Sequence, residues 1–517
     1  MCGILGIVGS VPEILIEPGL NAISHRGPDV STIKTIDNVT LGFNRLIING
    51  KGVYADQPFE ESENLWCICN GEIFNHDELG VELNYTPVTG SDCEILIPAF
   101  KAYSFPTFCN KLDAEFALIV YDKPSKNMWI ARDPYGVRPL FWGEVAAPGH
   151  GYAFASELKA LLDICVPSSC DQFKPGFFMR ISTGTSVVQE YTSYNNGISF
   201  SGFKYTSIDY ASSRVNHLLS DAVRKRLMCD NGGVCCLLSG GLDSSLIAAL
   251  ANKFSDKPID TFAVGMEGST DLQYAADVAR YIGSNHHSVC LSQVDFLNAI
   301  PTVIRAIESY DVTTVRASVG NYLIGKYIRE NTNFKVVLNG DYSDEVTAGY
   351  LYMKHAPTKQ ELHDECKRLV ENIHYFDSLR SDRSICSHGL EARAPFADKK
   401  FVEFYLSLDP SIASPVNEME KYLLRYAFRY DNLLPPHVLW RKKEAFSDGV
   451  SAVENSWHVI ARKHAISLGY ASEETFYKET FDCLFGYNFR HVIPYKWMPK
   501  YCNTDDPSAR TLLSTTT

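Results

Sequence analysis

The segment Val234–Ala251 reads VCCLLSGGLDSSLIAALA, and its pattern decides the fold of the second half of the chain. The apolar run Val234–Leu238 predicts a buried strand, and Asp243–Lys253 predicts a helix. The glycine-rich turn SGGLDSS (Ser239–Ser245) joins the two. Glycines let a backbone approach an anion closely, and the free N–H groups at a helix start attract negative charge. The segment therefore predicts a strand, a phosphate-binding turn and a helix.

Strands and helices alternate around this segment. Upstream, apolar residues at helical spacing predict a helix over Val215–Leu227. Downstream, Thr261–Val264 predicts a strand, a helix starts at about Asp271, another lies around Arg316–Arg329, and Lys335–Leu338 predicts a further strand. This alternation implies an α/β domain with a doubly wound parallel sheet, whose ligands bind outside the carboxyl ends of the strands.

The first 190 residues have a different pattern. Short β-like runs, such as Ile4–Val8, Leu65–Cys69 and Phe116–Tyr121, are separated by turn residues and predict a sheet-rich α+β domain. The polar stretch Ser193–Ser207 lacks periodicity and predicts a linker. We therefore expect a first domain over residues 2–190, a linker over 191–207 and a second domain over 208–517.

Composition narrows the class of protein. The formal charge of −13 argues against a general binder of nucleic acid or anionic membranes. No apolar run approaches the roughly 18–20 residues that cross a bilayer, and the amino terminus lacks a basic leader, so we expect a cytoplasmic protein. The 15 cysteines include no CxxC pair, which predicts reduced thiols and no zinc site.

Three further patterns favour structural interpretations. Cys235 and Cys236 lie in an apolar run and are expected in the core. His286 and His287 follow a predicted helix and are expected in an exposed loop, whereas the basic cluster Arg224–Arg226 is expected at a solvated helix end. The run GNYLIGK (Gly320–Lys326) approaches a nucleotide-binding motif but lies within a helical pattern, so we interpret it as an ordinary helix.

Cys2 belongs to an ordered set of motifs in the first half. Removal of Met1 would leave Cys2 with both a thiol and a free α-amine, so that one residue supplies a nucleophile and its base. The set resembles the class II glutaminase domain, an amino-terminal-nucleophile fold with an αββα sandwich. The motifs are MCGILG, HRGPD (His25–Asp29), NRL (Asn44–Leu46), NGEIFNH (Asn70–His76), SDCE (Ser91–Glu94), RDPYGVRPL (Arg132–Leu140) and ASE (Ala155–Glu157).

This resemblance implies roles for individual residues. Cys2 would attack the glutamine amide and form a γ-glutamyl thioester, with an oxyanion hole made by the Asn70 side chain and the Gly71 N–H. Arg45 would hold the α-carboxylate of glutamine, and Asp92 would help to hold its ammonium group. The complete implied glutamine site is Arg45, Leu46, Ile47, Ile48, Asn49, Asn70, Gly71, Glu72 and Asp92. One motif departs from the family, because Ala114 replaces the glycine of its LDGxFA run.

The second half contains a further series of motifs: SGGLDSS, ESYDVTTVRAS (Glu308–Ser318), HGLEARAPFAD (His388–Asp398), EKYLLR (Glu420–Arg425), RKKEAFSDG (Arg441–Gly449) and the tail segments Trp497–Lys500 and Asp506–Leu512. With SGGLDSS, the second half resembles the ATP pyrophosphatases, and with the full series nearly the whole chain resembles the asparagine synthetase family. The implied ATP site is Leu237, Ser239, Gly240, Gly241, Asp243, Ser244, Val264, Asn339 and Gly340. Thr313, Thr314 and Arg316 would lie at the aspartate site, Asp243 and Asp344 would hold Mg²⁺, and Asp341 and Lys443 would be catalytic.

The resemblance also implies a reaction. The β-carboxylate of aspartate would attack the α-phosphorus of ATP, giving β-aspartyl-AMP and pyrophosphate. Ammonia released at Cys2 would then displace AMP, which favours a passage shielded from water. Glutamine, aspartate and ATP would be the small-molecule partners, and the sequence leaves a homodimer open.

One loop departs from the family pattern. The family reads SGEG-x-DE after the strand that matches Lys335–Leu338, whereas this chain has Asn339, Gly340, Asp341, Tyr342, Ser343, Asp344 and Glu345. Asp341 is one methylene shorter than the family's Glu, and Tyr342 replaces a Gly. Two alternatives to asparagine synthesis therefore remain. One is adenylation of another carboxylate, and the other is a glutaminase or glutamine-sensing protein whose synthetase half has decayed.

Overall fold

The computed structural model describes residues 1–50, 52–146, 150–195, 205, 207–443, 446–508 and 511–512. Two antiparallel sheets make up most of the first domain. Its strands are β1 (Gly3–Gly9), β2 (Val30–Ile36), β3 (Val39–Arg45), β4 (Phe59–Glu61), β5 (Leu65–Ile73), β6 (Ala114–Asp122), β7 (Asn127–Arg132), β8 (Phe141–Glu144), β9 (Gly151–Ala155), β10 (Asp171–Gln172), β11 (Phe177–Ser182) and β12 (Val187–Ser193). Its helices are α1 (Glu13–Asn21), α2 (His76–Leu83), α3 (Leu96–Ala102) and α4 (Phe105–Lys111).

The two sheets pack face to face. Their strand orders are β10-β8-β9-β1-β3-β2 and β12-β11-β7-β6-β5-β4. Successive side chains of β1 point to opposite faces, so Ile4 and Val8 lie between the sheets while Leu5 and Ile7 pack on the other side. Helices α2–α4 cover the outer face of the second sheet through residues such as Phe108. The predicted αββα arrangement is confirmed.

A five-stranded parallel sheet forms the centre of the second domain. Its strands are β13 (Val234–Leu237), β14 (Asp260–Gly265), β15 (Asn285–Cys290), β16 (Val336–Leu338) and β17 (Glu391–Arg393). Its helices are α5 (Ile208–Lys225), α6 (Leu242–Phe254), α7 (Thr270–Ile282), α8 (Gln293–Ile307), α9 (Val312–Asn331), α10 (Ser343–Val346), α11 (Lys359–Asn372), α12 (Ser384–Cys386), α13 (Lys399–Leu406), α14 (Pro410–Ala413), α15 (Tyr422–Ala427), α16 (Pro436–Leu439), α17 (Phe446–Gly449), α18 (Trp457–Ser467) and α19 (Glu473–Phe485).

The strand order of this sheet is β15-β14-β13-β16-β17. The chain starts at the central strand β13, moves outward to β15 and then crosses to β16, so the strand order reverses between β13 and β16. Cys235 and Cys236 point to opposite faces of the sheet, and both are fully buried among apolar side chains. The predicted doubly wound sheet is confirmed, and the reversal provides the crevice in which such sheets bind ligands.

Two predictions about surface residues are wrong. His286 and His287 lie in the edge strand β15, and the ring of His287 is 2.8 Å from Asp260 Oδ1. The cluster at the end of α5 is solvated only at Arg224. Arg226 is fully buried, because its guanidinium forms ion pairs with Glu115 and Asp398.

The predicted linker falls partly outside the described residues. Residues 191–193 are the end of β12, whereas 196–204 and 206 are not described. GNYLIGK lies inside α9, as predicted. Within the described ranges, none of the helices combines the length and the apolar character that a membrane span requires.

Candidate functional site

Cys2 lies immediately before β1, beside the end of β5. Its backbone N–H donates to Asn70 Oδ1 (3.1 Å), and its carbonyl accepts from Arg26 Nε (2.9 Å). Asn70 is fully buried, and its Nδ2 donates to no acceptor in the described part of the chain. A Cβ on Gly71 would lie 2.4 Å from the carbonyl oxygen of Glu115, so only glycine fits there. A free amide donor therefore lies next to the thiol-bearing residue.

The environment of Cys2 favours the neutral thiol while Met1 is present. Burial raises the pKa of the Cys2 thiol to about 11, although the amino-terminal charge acts in the opposite direction. Met1 is itself buried, and its amine lies 3.3 Å from Glu391 Oε2 in the second domain. Cys2 thus lies at the boundary between the domains.

Arg45 lies in the same region but has several protein acceptors. Its guanidinium is 2.5 Å from Asp56 Oδ1 and donates to the backbone carbonyls of Asn49, Gly50 and Gly52, each at 3.1 Å. The predicted role of Arg45 in holding the α-carboxylate of glutamine stays a prediction, because in this structure its guanidinium pairs with Asp56.

The other predicted glutamine-site residues come from three separate segments. Glu72 accepts from Asn49 Nδ2 (2.8 Å), and Asp92 accepts from the backbone N–H of Ile73 (2.8 Å). Burial raises the pKa of both acids. Leu46 and Ile48 are buried, and the carbonyl of Ile47 accepts from Lys335 of the second domain. The fold thus brings the predicted set around the residues next to Cys2.

A cavity opens at the carboxyl ends of β13 and β16, at the strand reversal. A Cβ on Gly340 would lie 2.6 Å from the backbone nitrogen of Ser244, so the two loops approach each other closely at a glycine. The predicted residues that line this cavity are Leu237, Ser239, Gly241, Asp243, Ser244, Val264, Thr313, Thr314, Asn339, Gly340, Asp341, Asp344 and Lys443. Gly240 is adjacent to it, and its carbonyl accepts from Arg441.

Two lysines bridge the acidic residues of this cavity. Lys421 Nζ lies 2.6 Å from Asp243 Oδ2 and 2.5 Å from Asp344 Oδ1, and Lys443 Nζ lies 2.5 Å from Asp344 Oδ2. Burial alone would raise the pKa of Asp344, but the two lysines hold it well below its usual range. The same contacts raise the pKa of Lys443 against the effect of burial.

The loop Asn339–Glu345, which differs from the family pattern, keeps the side chain of Asp341 in the cavity. Asp341 Oδ1 lies 2.5 Å from Arg380, which also contacts Asp377 at 2.8 Å. Tyr342 adopts a φ of +74°, and its buried hydroxyl lies 2.7 Å from Ser378 Oγ. The loop therefore retains a left-handed residue where the family has glycine.

Arg316 does not line the cavity. Its guanidinium is buried between two carboxylates, with Glu473 at 2.5 Å and Asp506 at 2.9 Å. These acids occupy both edges of the Arg316 guanidinium, and the expectation that Arg316 lies at the aspartate site stays a prediction. Thr313 remains a cavity residue, and its hydroxyl has no hydrogen-bond partner among the described residues.

Sequence reasoning gave no individual role to several charged residues of this cavity, among them Lys421, Arg380, Asp377 and Glu345. Lys421 belongs to the EKYLLR motif, so a signal for it was present without a role attached. Glu345 lies beside Asp377, and burial together with this neighbour raises its pKa. Arg380 and Asp377 carry no local pattern that distinguishes them from surface residues.

Comparison with known proteins covers both sites. A glutamine amidotransferase domain family matches residues 1–199, and the asparagine synthase family matches residues 214–364 and 354–498. The chain is 38% identical to asparagine synthetase [glutamine-hydrolyzing] of Mesocricetus auratus, over 99% of this chain and 98% of the relative. It is 37% identical to the human protein of the same name, with the same coverage. A probable asparagine synthetase of Acanthamoeba polyphaga mimivirus is 37% identical over 95% of this chain and 96% of its own length.

The matches extend across both domains and nearly the full length of the relatives. The motifs around Cys2 and the cavity between β13 and β16 lie within the matched ranges. The chain belongs to the glutamine-hydrolysing asparagine synthetase family.

Proposed function

We propose that this protein makes asparagine from aspartate, glutamine and ATP, with glutamate, AMP and pyrophosphate as the other products. The observation that carries the proposal is the cavity between β13 and β16. It combines Ser239 and Asp243 of the glycine-rich turn with Asp341 and with the Thr313 hydroxyl, which has no hydrogen-bond partner among the described residues. The groups that we propose to bind the nucleotide and the amino acid therefore face one space.

Glutamine hydrolysis would take place at Cys2. Once Met1 is removed, the α-amine of Cys2 can take the thiol proton, and the sulfur attacks the glutamine amide carbon. Asn70 Nδ2 is a preformed donor for the resulting oxyanion. Formation of the thioester releases ammonia, and water then releases glutamate. The Arg45 guanidinium would bind the substrate α-carboxylate.

Aspartate activation would take place in the cavity. The amino end of α6 and the glycine turn before it suit the phosphates of ATP, and Lys443 adds a positive charge. The β-carboxylate of aspartate would attack the α-phosphorus and release pyrophosphate. Asp341 would then orient ammonia, which displaces AMP from the acyl phosphate.

The residues present also fit a magnesium ion. Oxygens of Asp243 and Asp344 lie within 2.6 Å of the same Lys421 nitrogen, so both carboxylates face one point. The described chain offers no group of three or more acidic, histidine or cysteine side chains for a metal. Magnesium typically uses one or two carboxylates together with substrate phosphates and water. Asp243 and Asp344 would hold the ion, which would supply charge neutralisation at the pyrophosphate.

The geometry supports a working synthetase over a decayed one. Asp341 reaches the cavity despite its shorter side chain, and Tyr342 adopts the positive φ that the loop requires. The proposal also includes a cytoplasmic location and small-molecule substrates. A homodimer remains a prediction, which sedimentation velocity can test.

The test of this function is an assay for asparagine and AMP with either glutamine or ammonium as nitrogen donor. Wild-type protein should form asparagine and AMP in equal amounts with both donors, and intact mass should show that Met1 is absent. Cys2→Ala should lose glutamine hydrolysis and glutamine-dependent synthesis by about 10⁴-fold while keeping ammonia-dependent synthesis. A wild-type protein that makes no asparagine even with abundant ammonium would contradict the proposal. Pyrophosphate release, measured with a panel of carboxylic acids, would show whether the protein adenylates a carboxylate other than aspartate.

A further inference from the structure

Lys421 is a buried cation in the synthetase cavity. Its side chain is 1% exposed, and Nζ contacts Asp243 Oδ2, Asp344 Oδ1 and Ser343 Oγ at 2.6, 2.5 and 3.1 Å. These partners come from α6 and from α10, the short helix after β16, whereas Lys421 precedes α15. One ammonium group therefore joins three segments that the sequence separates widely.

The backbone conformation and the burial of Lys421 are both energetically unfavourable. Lys421 adopts a φ of +56°, a region that is unfavourable by about 1–2 kcal/mol for a residue with a Cβ. A buried ammonium also loses its hydration, which is costly unless paired carboxylates compensate. Strain of this kind persists where the surrounding structure over-determines it, and it is concentrated at functional sites.

The charges in the cavity point to a role for Lys421. Two ammonium groups, from Lys421 and Lys443, balance two carboxylates, from Asp243 and Asp344. Pyrophosphate brings several negative charges, and its metal brings two positive charges. The metal competes with Lys421 for the carboxylate oxygens, while the phosphate oxygens offer the ammonium new acceptors a short distance away.

We propose that Lys421 is a pyrophosphate-binding residue whose ammonium holds Asp243 and Asp344 together until magnesium and the phosphates of ATP enter. The inference rests on the proposed function, because it assumes that these two aspartates meet the metal. Lys421 then moves from the carboxylates to the phosphate oxygens. In the free enzyme, the Lys421 ammonium group weakens metal binding. In the enzyme that holds magnesium and ATP, it strengthens the binding of the phosphates.

The test measures two affinities whose expected changes have opposite signs. Lys421→Met keeps the length of the side chain and removes its charge. Calorimetry with magnesium pyrophosphate should show binding weakened by about tenfold or more, since a charge-assisted hydrogen bond is lost. Titration with Mn²⁺ alone, followed by the free-ion paramagnetic resonance signal, should show about tenfold tighter binding at the freed carboxylates.

Control variants separate this role from a structural one. Lys421→Arg keeps the charge and should change both affinities by less than about threefold, a small effect beside the loss of a charged contact. Lys354→Met removes a neighbouring lysine that pairs with Glu420 at 3.5 Å and should leave both affinities unchanged. Far-ultraviolet circular dichroism and urea unfolding report whether each variant is folded.

The outcomes are distinguishable. Opposite changes in Lys421→Met support the proposal. Weaker binding of both probes would assign Lys421 a structural role, and unchanged pyrophosphate affinity would exclude it as a phosphate ligand. Either result overturns the inference and leaves the proposed function intact. Wild-type protein that binds no magnesium pyrophosphate would instead contradict the proposed function. If Lys421→Met does not fold, Lys421→Gln provides the same comparison.

Discussion

Tyr342 shows how packing can outweigh backbone strain at one residue. Its φ of +74° is unfavourable for a bulky side chain, yet its ring is buried and its hydroxyl contacts Ser378. Relief of the strain by glycine is worth about 1 kcal/mol, whereas loss of a buried aromatic ring costs about 3–5 kcal/mol. Burial of the ring therefore stabilises this loop by more than the strained backbone destabilises it.

This balance gives a prediction for Tyr342 variants. Tyr342→Gly should lower the free energy of unfolding by about 3 kcal/mol, because the cavity costs more than the strain. Tyr342→Phe should lower it by about 1 kcal/mol through loss of the hydrogen bond. Urea unfolding followed by tryptophan fluorescence measures both. A glycine variant as stable as the wild type would show that strain dominates.

The carboxylate of Asp341 is the second prediction at the residue scale. Asp341→Asn removes the charge that faces Arg380 and should lower ammonia-dependent synthesis by about 100-fold. Asp341→Glu should keep part of the activity, since the charge remains and only its reach changes. Glutamine hydrolysis at Cys2 serves as the internal control. Equal activity of the Asn variant and the wild type would exclude Asp341 from the reaction.

At the scale of elements, the end of α5 connects the two domains. Arg226 contacts Glu115 of β6 and Asp398 before α13, and Lys225 contacts Asp113 and Asp398. Burial alone would raise the pKa of Asp398, but these two cations hold it below its usual value. A depressed carboxylate pKa stabilises the fold above the unfolded pKa, and this stabilisation is lost as pH falls through the folded pKa.

Asp398→Asn tests this connection. The variant should be less stable by about 3 kcal/mol near neutral pH, because Lys225 and Arg226 lose a buried partner. The difference from wild type should shrink as pH falls below the unfolded value of about 3.9. Asp409→Asn, which changes the capping residue of α14, should cost about 1 kcal/mol or less. A difference that does not change with pH would contradict the ion-pair explanation.

At the scale of the whole molecule, the two proposed reaction sites lie in separate folds that share a charged boundary. Arg138 of the first domain contacts Glu115 of its own domain at 3.0 Å and Asp382 and Glu391 of the second at 3.7 Å. The amine of Met1 also reaches Glu391. Because the two sites lie in separate folds, a substitution that damages one site should leave the other site folded.

Asp243→Asn tests this separation. The variant keeps its shape but loses the charge that faces Lys421, so pyrophosphate release should fall by about 100-fold or more. Glutamine hydrolysis at Cys2 should remain within about twofold of wild type, because the residues around Cys2 belong to another sheet. Asp256→Asn, an exposed change just after α6, is the matched control. Unchanged pyrophosphate release in Asp243→Asn would indicate that SGGLDSS is a structural turn with no role in the reaction.

The strands and helices of the second domain could be predicted from neighbouring residues alone. The run Val234–Leu238, the glycine turn and the following helix were predicted within one or two residues, because periodicity and turn residues act between close neighbours. The ordered motifs around Cys2 likewise indicated the family before any geometry was known.

Only the tertiary structure decided which charges meet. Lys421 lies 178 residues from Asp243, and Arg226 lies 172 residues from Asp398. No local pattern distinguishes Arg226 from a solvated arginine, so it was misassigned, and the EKYLLR motif that contains Lys421 gave this lysine no role. Arg316 likewise matched a motif, but Glu473 and Asp506 occupy it. The physical reason is that an ion pair depends on distance and burial, which the fold sets and neighbouring residues do not.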